Sequence, residues 1–231
     1  MILVIFDVDG TLVYSGKKDS LSFARAYKAI YGKDFPSIDW RRYPHVTDTS
    51  IFDTAIRQHF GRTSTEEEVL HFQSHYMALL RESRHHTPHH FQEVAGARQL
   101  IEHLMADGRY LVGVATGGWR QPATLKLGHV GISISPHLFR GADGKFAREA
   151  ILEEVIDQAR QLIGRVPTRT IYVGDAEWDV RTTRNLQLSF IGVRYQGDYE
   201  VLRREGAQQV IQNYLDVAHF QELLQTACPP D

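Results

Sequence analysis

The N-terminal stretch Ile2-Leu3-Val4-Ile5-Phe6-Asp7-Val8-Asp9-Gly10-Thr11 sets the reading of the whole chain. An unbroken apolar run that is rich in β-branched residues fits a strand buried on both faces, and such strands belong to parallel sheets covered by helices. Two carboxylates, Asp7 and Asp9, leave that strand at its end. Held so close they repel each other unless a cation lies between them, and ligands that are all oxygen favour magnesium over zinc.

Working outward, three further apolar runs read as buried strands: Tyr110 to Ala115, Thr170 to Val173 and Ser189 to Val193. The second of these is followed by Gly174-Asp175, with Asp179 one helical turn beyond. In a parallel sheet the chain leaves these strands at one edge, so Asp7, Asp9, Asp175 and Asp179 can converge there. Tyr110 to Ala115 opens into Thr116-Gly117-Gly118, a hydroxyl followed by exposed backbone N–H groups, which suits a phosphate. Between the runs lie helices. Ile151, Leu152, Val155, Ile156, Ala159, Leu162 and Ile163 form one apolar face of a helix from Glu149 to Gly164, and Leu100, Ile101, Leu104 and Met105 form another that closes at Gly108. The expected fold is therefore α/β, a doubly wound, Rossmann-like parallel sheet with ligands bound beyond the carboxyl ends of its strands.

Residues 14–87 differ, having helical spacing but no buried strand, and read as an inserted helical cap; residues 1–13 and 88–231 form the discontinuous core. Leu21, Ala24, Tyr27 and Tyr31 share a face before Gly32, and Phe52, Ala55, Ile56 and Phe60 do so before Gly61. A third helix, carrying Val69, Phe72, Tyr76, Met77 and Leu80, is expected to start at a capping box of Ser64 and Glu67. Tyr14-Ser15-Gly16 and His85 to His90, around Pro88, read as hinges. His71 and His75 have the spacing of a zinc pair, but on a polar helix face, and a solvated role is expected for them.

The 231 residues carry a formal charge of −2, which offers no general attraction for nucleic acid or an anionic membrane. A single cysteine, Cys228, excludes an internal disulfide and a cysteine zinc cluster and suits a cytoplasmic protein. The apolar run at the start is too short for a membrane span. The expected partner is a small phosphorylated metabolite, held by local groups, and the expected assembly is a monomer or homodimer.

In Phe6-Asp7-Val8-Asp9-Gly10-Thr11, Thr116 after an apolar strand, and Gly174-Asp175 with Asp179, the sequence resembles the haloacid dehalogenase superfamily and its phosphatase branch. Pro44-His45-Val46-Thr47-Asp48, Lys126-Leu127 and the segment from Phe139 to Asp143 resemble the phosphoglycolate-phosphatase-like group. The resemblance implies that Asp7 attacks phosphorus to form an aspartyl-phosphate, that Asp9 serves as acid and then base, and that Thr116 and Gly117, with Gly118 beside them, hold phosphoryl oxygens. It implies magnesium bound by Asp7, the Asp9 carbonyl and Asp175, with Asp179 orienting these ligands or ligating through water. His45, Thr47 and Asp48 are then candidates for substrate or closure contacts from the cap, an ordinary turn with Thr47 or Asp48 capping the next helix being the alternative, and Trp119 either walls the substrate or packs.

A basic side chain is also needed for the phosphoryl group. The family usually supplies a lysine, and this chain offers Lys145 and Arg148, of which Arg148 has the better spacing to Ile151, Leu152 and Val155. Loss of a halide needs no proton, so Asp9 disfavours dehalogenation. A phosphonate hydrolase would need a cap lysine, for which Lys17 and Lys18 are the nearby candidates. A sugar-phosphate mutase uses the same aspartate pair, and a non-catalytic protein that binds metal or phosphate for regulation is the reading from another class.

Overall fold

A computed structural model describes residues 1–16, 18–86 and 91–231, with the side chain of His86 excepted. The opening stretch forms β1 (Ile2–Phe6), in which Leu3, Val4, Ile5 and Phe6 are all 0% exposed, as a strand covered on both faces requires. Next come β2 (Val13–Tyr14), the cap helices α1 (Lys18–Tyr31), α2 (Asp48–Phe60) and α3 (Glu66–His86), and β3 (Gln92–Glu93). The remainder runs α4 (Ala97–Ala106), β4 (Tyr110–Ala115), α5 (Arg120–His129), β5 (Phe139–Arg140), α6 (Arg148–Ile163), β6 (Arg169–Gly174), α7 (Glu177–Asn185), β7 (Ser189–Val193), α8 (Glu200–Arg204), β8 (Val210–Ile211) and α9 (Val217–Thr226).

Six strands form one parallel sheet in the order β5-β4-β1-β6-β7-β8, flanked by helices. β1 lies between β4 and β6, with Phe6 level with both Val114 and Val173. The residues that follow these three strands therefore emerge side by side, which is the crevice where open α/β sheets bind ligands. The edge strands β5 and β8 are two residues each and leave no pattern in the sequence.

The chain leaves for the cap and returns through a short antiparallel stem, β2 against β3. The hinge expected around Pro88 falls mostly at Thr87 to His90, outside the described residues, as does Lys17. Cap helices occur where expected, with shifted faces. In α1 the buried residues are Ser22, Phe23, Ala26 and Tyr27, while Leu21 is exposed; Phe60, Met105 and Leu162 also point outward. α3 begins one residue later than the expected box: the Glu68 N–H donates to Thr65 Oγ1 at 3.2 Å and the Thr65 N–H to Glu68 Oε2 at 3.0 Å. Ser64 instead donates to Asp53 Oδ1 through both its N–H and its hydroxyl.

Arg62 grips Glu68 with two nitrogens at 2.8 Å each, and this fork, with the Thr65 bond, holds the Glu68 carboxyl down at about 2 against 4.5. The stability it supplies is present above the unfolded value and is lost as pH falls from there toward 2. Because the Arg62 side chain is half exposed, Glu68→Gln is expected to cost only about 1 kcal/mol near neutral pH. Urea denaturation near pH 7 and again near pH 3 checks this, the gap between variant and wild type narrowing in acid.

Among the described residues no helix is long and apolar enough to cross a membrane.

Candidate active site

Each strand end delivers one group. Asp7 follows β1 and its N–H extends the ladder to Val173 O at 2.9 Å. Thr116 follows β4, with its N–H on Arg140 O, and Gly118 N–H turns back to Thr116 Oγ1 at 3.2 Å. Asp175 follows β6. Backbone approach at this edge is close. Gly10, at φ +80°, faces the Asp175 carboxylate, and Gly117 faces the Arg148 guanidinium and Val46 O; a Cβ at either would collide.

Asp7, Asp175 and Asp179 place one carboxylate oxygen each within 4.8 Å of one another. Burial pushes Asp7 up to about 6 although Arg148 opposes the shift, and Asp175 is also raised, by burial and then by the neighbouring Asp179 and Asp7. Asp7 Oδ1 is buried with no hydrogen-bond partner. Such a cluster is costly as it stands and fits a divalent cation, with Asp7 and Asp175 as its natural carboxylate ligands. Asp179 is already saturated: Oδ2 accepts the N–H groups of Asp175 at 3.1 Å and Ala176 at 3.0 Å, and Oδ1 accepts from Arg148 at 2.6 Å. Its fully buried carboxylate starts α7 and orients its neighbours.

Of the two basic candidates, the fold brings only one to the edge. Arg148, the first residue of α6, is buried, with Nη2 at 3.3 Å from Asp7 Oδ2, 2.6 Å from Asp179 Oδ1 and 2.9 Å from the Tyr172 hydroxyl. Lys145 points away and pairs with Glu154 at 2.6 Å.

Asp9 departs from the metal cluster. Both its carboxylate oxygens accept from Lys126 Nζ at 2.8 Å, and Lys126 also pairs with Asp19 of α1, which accepts from the Tyr76 hydroxyl of α3. Burial pushes Asp9 up to about 6 against the pull of Lys126. For Lys126 burial acts downward, but Asp19 and Asp9 outweigh it and the net shift is upward. In the sequence Lys126 stands out only within the Lys126-Leu127 resemblance, with no role attached. A signal was present, since Lys126 shares the buried face of α5 with Pro122, Ala123 and Leu127, where a lysine needs a partner. Asp19 and Tyr76 carried no such signal, because an acid at a helix start and an aromatic on a cap face have ordinary explanations.

The cap closes over this edge and leaves a cavity of about 530 Å3, lined by Asp7, Asp9, Thr116, Lys126 and Arg148 on the core side and by Asp19, Trp40, Asp48 and Tyr76 on the cap side. Of the three cap candidates only Asp48 lines it. Thr47 is buried, caps α2 through the Ser50 N–H, and donates to Phe146 O at 3.0 Å, so its hydroxyl is spent on joining cap to core. His45 is exposed and lies outside the lining. Trp119 packs: fully buried, it stacks on Phe23 of the cap at 5.8 Å and donates from Nε1 to Thr49 at 2.9 Å. Among the described residues the one cluster poised for a metal is Asp7, Asp175 and Asp179.

No curated protein sequence matches the chain. Solved structures share its fold: a hydrolase from Pseudomonas syringae (19% identity, TM-score 0.72, covering 96% of this chain and 98% of that one), a predicted phosphatase from Clostridium acetobutylicum (22%, 0.60, 96% and 97%), and an archaeal β-phosphoglucomutase from a hyperthermophilic Pyrococcus (16%, 0.56, 98% and 100%). Residues 4–193 match the haloacid dehalogenase-like hydrolases. With that match spanning the strand ends that carry Asp7, Thr116 and Asp175, the chain belongs to the haloacid dehalogenase-like hydrolase family.

Proposed function

We propose that this chain is a magnesium-dependent phosphatase that hydrolyses a small phosphorylated metabolite through an aspartyl-phosphate on Asp7, with residues 1–13 and 88–231 as core and 14–87 as cap. The observation that carries this reading is a buried carboxylate oxygen without a partner, Asp7 Oδ1, placed beside Asp175 in the cavity that Thr116 and Arg148 also line. Magnesium, when bound there, supplies positive charge to the phosphoryl oxygens and offsets the repulsion within the aspartate cluster.

Asp7 attacks phosphorus, and the bond to the leaving oxygen breaks as the bond to the carboxylate forms. Asp9 gives its proton to that oxygen, and then takes one from the water that hydrolyses the aspartyl-phosphate. Its carboxyl at about 6 suits both tasks. The Thr116 hydroxyl, the Gly117 amide and the Arg148 guanidinium hold the phosphoryl oxygens, with Gly118 beside them and its N–H turned to Thr116 Oγ1, in a cavity beneath the cap. Cys228 takes no part, and the chemistry suits a cytoplasmic metabolite enzyme.

A mutase reading is supported by the β-phosphoglucomutase likeness alone, and the product separates the two: a phosphatase releases inorganic phosphate, whereas a mutase returns an isomer. The test is phosphate release from p-nitrophenyl phosphate. Turnover is expected with magnesium, to fall to background with a chelator, and to return when magnesium is restored. Inertness under saturating magnesium would favour the non-catalytic binding protein and overturn the proposal.

A further inference from the structure

We infer that the leaving-group side of the cavity selects phosphomonoesters whose alcohol carries hydrogen-bond donors and no negative charge, with Asp48 as the residue that reads them. The inference rests on the phosphatase reading above.

Asp9 marks where the leaving oxygen must lie, because it is the group that protonates it. Asp48 is its neighbour on the cap: a Cβ at Gly118 would stand 3.6 Å from Asp48 Oδ2 and 3.7 Å from Asp9 Oδ2. The Trp119 N–H, at 2.9 Å, holds Asp48 Oδ2 in place. Asp48 Oδ1 makes no hydrogen bond among the described residues, and the residue lines the cavity.

Every cation that lines this cavity among the described residues is already engaged by a carboxylate. Lys126 serves Asp9 and Asp19 together, so that cluster sets one positive charge against two carboxylates. Arg41, at the mouth, is forked onto Asp39. Arg194 turns to Asp175, and Arg148 to Asp179 and Asp7 beside the phosphoryl position. A carboxylate on the leaving group would meet Asp48 and Asp19 with no free cation among the described residues to pair it, and like charges brought together in a partly buried cleft are disfavoured. A hydroxyl or an ammonium would instead give Asp48 its missing donor. Burial raises the Asp48 carboxyl to about 7, so a donor would favour its ionised form and a second carboxylate would oppose it. The neighbouring Trp40, Phe23 and Ile51 leave room for the carbon frame of a small alcohol.

The measurement is kcat/KM with magnesium for four esters: glycerol 3-phosphate, phosphoethanolamine, phosphoglycolate and p-nitrophenyl phosphate. Glycerol 3-phosphate, phosphoethanolamine or both are expected to exceed phosphoglycolate by about 10-fold or more, and which of them leads shows whether the donor is a hydroxyl or an ammonium. Asp48→Asn is expected to shrink that ratio by a similar factor, since the amide can donate to a carboxylate. Phosphoglycolate equal to or better than both others, alongside turnover of p-nitrophenyl phosphate, would overturn the inference and leave the phosphatase reading standing. Turnover of none of the four would overturn both. The order among substrates of the unaltered protein decides the matter even if the Asp48 variant folds poorly.

Discussion

Asp7→Asn is expected to lower kcat for phosphate release by roughly 10^4-fold or more, because an amide cannot form the acyl-phosphate that splits the displacement into two steps. The same substitution should not weaken the fold. Asp7 is buried beside Asp175 and Asp179, and its carboxyl is pushed up to about 6 by burial, so a neutral side chain of the same shape removes a charge that the folded state holds at a cost. A thermal midpoint measured in chelator is expected at or above that of the unaltered protein, while protection by added magnesium is expected to weaken, since one of two carboxylate ligands is gone. Loss of turnover with an intact midpoint points to chemistry; loss of both points only to misfolding. Equal turnover in the two proteins, with magnesium saturating, would remove Asp7 as the nucleophile.

Much of this geometry was legible in the sequence because it follows from strand ends. Once Ile2 to Phe6, Tyr110 to Ala115 and Thr170 to Val173 are read as neighbouring parallel strands, Asp7, Thr116 and Asp175 have to share an edge, whatever the helices do. The cap resisted the same treatment. Its helices announced themselves by spacing, yet their faces turned by a residue or two, so that Phe23 is buried and Leu21 exposed. The reason is that α1 packs against α3 and also receives Trp119 from the core, and this aromatic cluster, with Phe23 at 4.7 Å from Phe72, outweighs the phase of aliphatic residues along one helix. Local pattern also left Thr47 open between a substrate or closure contact and a plain helix cap. It precedes Asp48 in a segment that looks like a substrate loop, but its hydroxyl is claimed by a backbone carbonyl almost a hundred residues away in sequence, a pairing that only the tertiary fold creates. Lys126 shows the limit from the other side: its burial could be suspected from its helix face, but its partner Asp19 belongs to the cap and its partner Asp9 to the first loop.

Arg148 is where the two basic candidates part, and its removal is expected to have the second largest effect. The guanidinium lies between Asp7 and Asp179, with Nη2 at 3.3 Å from Asp7 and 2.6 Å from Asp179, so in the proposed reaction Arg148→Ala removes positive charge from the place where negative charge develops in the transition state. A loss of roughly 10^3-fold in kcat is expected, in the range found for arginines that serve phosphoryl transfer. Stability should fall as well, by about 3–5 kcal/mol, because the fully buried Asp179 would lose its cation partner. Arg148→Lys separates the two effects. It restores a charge near Asp179 and so recovers much of the stability, but a point charge cannot reach Asp179, the Tyr172 hydroxyl and the phosphoryl group together as the planar fork does, and turnover should remain well below that of the unaltered protein. Lys145→Ala is the control. Its partner Glu154 is also held by Arg140 at 2.9 Å, and the pair is partly exposed, so kcat is expected to stay within about 3-fold and stability within about 1 kcal/mol. A larger loss of turnover at Lys145 than at Arg148, measured on folded variants under saturating magnesium, would transfer the phosphoryl-binding role to Lys145.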